Sequence, residues 1–116
     1  MDEPELLESS MEANVAAFWD LADKKDFTAV RKFREINESI FQSFDQKYIS
    51  LCHDDQALVR WANRMQAVRK HLDELDRNLA FEGKRQFNWA SVVTAVGILN
   101  AYRVASEQTL ALNEPS

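Results

Sequence analysis

The sequence predicts an all-α fold, an antiparallel bundle of three to four long helices forming a single domain over residues 1–116. Two observations predict it. Glycine and proline number only two each, so tight reversals are scarce, which argues against a sandwich, a barrel or a Rossmann unit. Apolar residues recur at steps of three and four along most of the chain, the period of an amphipathic helix. At 46% hydrophobic and 28% charged the chain is too apolar to stay disordered. Its 116 residues suffice for one core without covalent staples. The single cysteine, Cys52, excludes an internal disulfide framework and a multi-cysteine zinc site.

The first helix is expected at about residues 4–24. Pro4 suits a first helical position, and Glu5 and Glu8 favour the positive N-terminal end. Leu7, Met11, Val15, Phe18 and Ala22 form its apolar stripe, widened by Trp19. Residues 23–26 carry no Gly or Pro, so they read either as a turn or as a kink in a longer helix.

The second helix is expected at about 27–51, with Asp26 as its N-cap. Phe27, Val30, Phe33, Ile36, Ile40, Phe44 and Leu51 mark one face, and Phe41, Tyr48 and Ile49 lie beside it. So wide an apolar arc calls for contact on two sides.

The third helix, about 55–82, follows an Asp cap in His53-Asp54-Asp55. Leu58, Trp61, Met65, Val68, Leu72, Leu75 and Leu79 alternate steps of three and four. That heptad stripe packs near +20° against a neighbour, within the chain or in a homodimer. Gly83 is expected as a left-handed cap at its end.

The fourth helix is expected at about 88–108, and the tail 111–116 is expected to fray. Residues 86–102 hold no charged side chain, and apolar residues cover most of this helix's circumference. The uncharged stretch is shorter than the roughly 20 apolar residues of a membrane span. Such a helix is either the centre of a bundle or the cover of a groove.

The net charge of −5 is concentrated at one end. Residues 1–26 carry eight acids against Lys24 and Lys25. An acidic chain disfavours binding driven by nucleic-acid phosphates. The acidic start, Met1-Asp2-Glu3-Pro4-Glu5, lacks the basic region of a secretory signal, so a cytoplasmic location is expected.

Catalytic chemistry is hard to assemble. His71 and Glu74 lie one turn apart, but a di-metal bundle needs a second such pair, so no metal and no cofactor are expected. Arg64 and His71 have the R-x6-H spacing of some helical endoribonucleases, a pattern of only two residue types. Cys52 has no His with an orienting partner beside it in sequence. The reading is therefore non-enzymatic.

Residues 18–30 read Phe18-Trp19-Asp20-Leu21-Ala22-Asp23-Lys24-Lys25-Asp26-Phe27-Thr28-Ala29-Val30. This run resembles a signature of the FliT-type flagellar export chaperones, which escort the filament-cap protein in type III export. Leu21-Ala22 falls where their first helix ends, and Asp26-Phe27 falls at the acid–aromatic pair that opens the second. The run Asn100-Ala101-Tyr102-Arg103 is similar to a further family pattern, whereas Lys24-Lys25 stand where members often carry Gly. The resemblance implies a cytosolic bundle that binds an amphipathic helix of its partner, with the C-terminal helix partly covering the binding surface. The candidate partner-binding residues are Phe41, Tyr48 and Ile49 on the second helix and Val92, Val96, Leu99 and Tyr102 on the fourth. A second reading is a small acidic inhibitor or immunity-type protein, such as a phage-encoded one. It would block a basic nucleic-acid enzyme through Glu5, Glu8 and Glu12.

Overall fold

A computed structural model describes residues 26–84 and 88–113. Among these residues there are three helices and no strand. They are α1 (Phe27–Leu51), α2 (Asp55–Leu79) and α3 (Trp89–Asn113), each of 25 residues. The all-α class therefore holds. The helix expected at 4–24, the turn or kink at 23–25 and the acidic residues Glu5, Glu8 and Glu12 lie outside the described residues.

Both anticipated aspartate caps form. Asp26 Oδ1 accepts from the Ala29 N–H at 3.0 Å. Asp54 Oδ1 accepts from Gln56 at 2.9 Å and from Ala57 at 3.4 Å. These carboxylates satisfy amide donors that have no intrahelical acceptor. Only Cys52, His53 and Asp54 separate α1 from α2, so the two run antiparallel as a hairpin. No helix among the described residues is long and apolar enough to cross a membrane.

Two boundaries differ from the sequence reading. Helix α2 ends at Leu79 rather than near 82. There the bonding tightens to three-residue steps, Phe81 N–H to Asn78 O and Glu82 N–H to Leu79 O, both 3.1 Å. Gly83 then takes φ +77° inside a turn closed by the Lys84 N–H donating to Phe81 O at 2.9 Å. Its left-handed backbone was anticipated, but it shapes this turn and does not cap the helix directly. Helix α3 runs on to Asn113, through residues 111–113 that the sequence reading assigned to a frayed tail. Leu110 is the reason: it is buried against Tyr48, Cys52 and Trp61 and holds the last turns down.

The heptad stripe of α2 is consumed within the chain. Trp61, Val68, Leu72 and Leu75 are buried, and Leu58, Met65 and Leu79 pack beside them. On α1 the buried line is Val30, Asn37, Phe41 and Tyr48. It is rotated from the face read in the sequence, and Ile36 is left 46% exposed. Asn37 keeps its place inside by donating from Nδ2 to Phe33 O at 2.8 Å. Helix α3 is the most enclosed of the three. Its buried residues include Val92, Val93, Val96, Leu99, Ala101 and Ala105, which lie on more than one face.

Candidate functional site

The same helix, α2, faces two unlike neighbours. Toward α1 it is tied by charge. Arg31 pairs with Glu82, and Arg34 pairs with Glu38 and, at 2.9 Å, with Asp76. Arg69 reaches Glu38 at 3.3 Å. Glu38 is held below the usual carboxylate range by hydrogen bonds from Arg34 and then Arg69. Burial works against the Arg34 charge, but its bonds to Glu38 and Asp76 outweigh that and raise its pKa.

At the hairpin end, Tyr48 stacks on Trp61 with ring centroids 4.2 Å apart and planes at 14°. The Trp61 Nε1–H donates to Asp45 Oδ1 at 2.9 Å. Burial, with a smaller contribution from hydrogen bonding to Cys52, pushes the Tyr48 phenol up to about 12. These contacts pin α1 to α2 with directional bonds along their full length.

Toward α3 the contacts are of another kind. The shared core joins Val68, Leu72 and Leu75 of α2 and Val30 and Phe41 of α1 to Val92, Val96 and Leu99 of α3. Among the described residues no ion pair joins α3 to α1 or α2; Arg103 pairs with Glu107 on its own helix at 2.9 Å. Directional links to α3 include Arg64, whose Nη1 donates to Thr109 Oγ1 at 3.0 Å and Ser106 Oγ at 3.4 Å, and the edge-to-face pair of Phe27 on α1 with Trp89, ring centroids 5.3 Å apart. Arg64 is only 8% exposed, with its guanidinium carbon 5.5 Å from the Trp61 ring centroid.

Five of the seven partner-binding candidates are buried: Phe41, Val92, Val96 and Leu99 share one core cluster, and Tyr48 lies in a second with Cys52, Trp61 and Leu110. Tyr102 is half-buried beside that core. Ile49 is 57% exposed and is not brought together with the others. Of the pair Arg64 and His71, Arg64 turns to Ser106 and Thr109. The His71 Nδ1 lies 3.3 Å from Glu74 Oε2, with its ring 6.2 Å from the Tyr102 ring. Among the described residues no three His, Cys, Asp or Glu side chains converge as a metal site.

Sequence reasoning missed the surface where α2 and α3 meet. One cleft of about 310 Å³ is lined by Arg60, Asn63, Arg64, Ala67 and Tyr102. Another, of about 370 Å³, lies toward the other end of the pair between Glu74, Asn78 and residues of α3 from Ala90 to Ile98. The available signal was the line Arg60, Arg64, Ala67, His71, Glu74, Asn78, spaced like the heptad stripe but polar.

No protein-family model, curated protein or solved structure matches this chain.

Proposed function

We propose that this chain is a protein-binding module. Its α1–α2 hairpin receives an apolar helix of a partner in the groove that α3 fills, in the manner of a cytoplasmic export or assembly chaperone. The observation that carries the reading is the contrast between the two interfaces of α2. The hairpin is cross-linked by directional ion pairs and by the Tyr48–Trp61–Asp45 contacts. The seat of α3 is a helix-length apolar surface formed by Val30, Phe41, Val68, Leu72 and Leu75. Apolar contacts are non-directional, so another helix of similar shape can make them. Affinity then comes from a few buried anchors and orientation from the polar rim. The resemblance at residues 18–30 and 100–103 points the same way.

A labelled peptide of residues 88–113, added to the full chain, tests this. Saturable binding, together with faster amide exchange in the chain's own α3 and unchanged exchange in α1 and α2, is the expected result. A peptide that binds no better than its scrambled counterpart removes the reading. Partners retained from the native cells supply a second check. Retention of a helical export substrate in high salt is expected. Loss of a basic nucleic-acid enzyme as salt rises favours instead an inhibitor acting through the acidic N-terminal sequence.

A further inference from the structure

Helix α3 is buried on two opposite sides. At 3.6 residues per turn, residues nine apart on a helix face about 180° away from each other. Val92 and Ala101 are such a pair, and they are 0% and 1% exposed. Gly97 and Ser106 are another, and both are buried. The hairpin accounts for one member of each pair. Val92 belongs to the core shared with α1 and α2, and Ser106 accepts from Arg64 of α2 at 3.4 Å. Gly97 and Ala101 face the other way, with Val93 and Ala105 beside them and likewise buried. A helix packed on a hairpin by one side turns its far side to water. Here the far side is withdrawn from solvent, so a further part of the chain covers it.

Residues 85–87 and 114–116 are too short for the task. The far face from Val93 to Ala105 runs about 18 Å along the helix, and three extended residues reach roughly 10 Å. Residues 1–25 have the length. Their apolar positions Leu7, Met11, Val15, Phe18 and Ala22 recur at steps of four and three, and as a helix they span about 22 Å. The junction is also in the right place. The Phe27 ring meets the Trp89 ring edge-to-face at 5.3 Å, so the chain enters α1 beside the first residue of α3. Gly97, Ala101 and Ala105 come at successive turns and carry little or no side chain. They leave room for large side chains on a helix packed against them.

We propose that residues 7–22 lie as an amphipathic helix along this far face of α3, antiparallel to it, with Phe18 near Val93 and Met11 near Ala101. The occupant of the surface is this chain's own N-terminal segment. The proposal concerns the side of α3 turned away from the hairpin and stands apart from the partner-binding reading.

The test is the pattern of nuclear Overhauser contacts in the 13C,15N-labelled full chain. Contacts from the Val93 methyls to the Phe18 ring, and from the Ala101 methyl to the Met11 side chain, are expected. A sample mixing labelled and unlabelled copies separates contacts within a chain from contacts between chains. Contacts that arise only between copies overturn the proposal and make a second copy the occupant. Random-coil shifts throughout residues 7–22 overturn it as well.

Ala101→Arg sets a long charged side chain on the far face and leaves Val92, Val96 and Leu99 on the other side untouched. In the folded variant, amides of residues 7–22 are expected to exchange about tenfold or more faster, with α1 and α2 unchanged. Ala111→Arg, at an exposed position of the same helix, is expected to leave them as they are. Undiminished protection of residues 7–22 in a folded Ala101→Arg chain overturns the proposal. So does an equal loss of protection in both variants.

Discussion

Helix α2 meets α1 through charge and stacked rings, and meets α3 through apolar side chains and hydroxyls. The difference follows from the composition of the partners. Helix α1 offers Arg31, Arg34, Glu38 and Asp45 at positions that reach Glu82, Asp76, Arg69 and Trp61 of the returning chain. Residues 86–102 hold no charge at all, so the first half of α3 brings no ion pair to its neighbours and meets them through apolar and aromatic contacts such as Phe27 with Trp89. Arg64, facing the second half, is met there by Ser106 and Thr109. A directional interface fixes one register, whereas an apolar one tolerates a substitute. That asymmetry is what supports the proposal that the hairpin receives a partner's helix in place of α3.

The sharpest way to break the comparison is Trp61→Ala. The ring touches Tyr48, Asp45 and Arg64, so its loss strikes both interfaces at once. It should cost about 3–5 kcal/mol in denaturant unfolding. A loss below about 1 kcal/mol would mean that the stack is not what joins the hairpin end.

A smaller effect comes from pH at the same place. The Tyr48 phenol is raised to about 12 in the folded chain, against about 10 unfolded. A raised pKa means that the fold favours the neutral phenol. That stability is complete below about pH 10 and is lost as pH rises through about 12. Melting curves across this range should fall steeply for the native chain and less steeply for Tyr48→Phe. Equal slopes would show that the ring is not desolvated by its stack.

The smallest effect sharpens the charged side. Glu38 is depressed by Arg34 and Arg69, so the stability it contributes is present above its unfolded pKa near 4.3. It is lost as pH falls through the lowered folded value. Glu38→Gln should lower stability at pH 7 by up to about 1 kcal/mol, as partly exposed pairs do. The two proteins should converge in acid. A difference that persists below pH 2 would point to packing and not to charge.

Much of this fold is written in local pattern. The α2 stripe from Leu58 to Leu79 and the caps Asp26 and Asp54 follow from spacing and side-chain chemistry alone, and all three recur in the structure. What did not follow depends on contacts distant in sequence. Asn37 lies inside and Ile36 outside because α1 turns toward two neighbours at once, and a polar residue can return a hydrogen bond to its own helix. The end of α3 is set by Leu110 reaching Tyr48 and Trp61, some 50 to 60 residues earlier. The candidate site was legible only as apolar residues. Spacing does not distinguish a buried anchor from a surface one, so Phe41 and Ile49 were grouped together although one is core and the other is exposed. The cleft at Arg60 and Arg64 was hidden because Tyr102, which completes it, lies about 40 residues further along the chain.

Native-state hydrogen exchange on the full chain tests the exchangeable helix most directly. Amides of residues 89–113 are expected to open with a lower free energy than those of α1 and α2, as a separate cooperative unit. A single opening free energy shared by all three helices would contradict it, and would make α3 an inseparable part of the core.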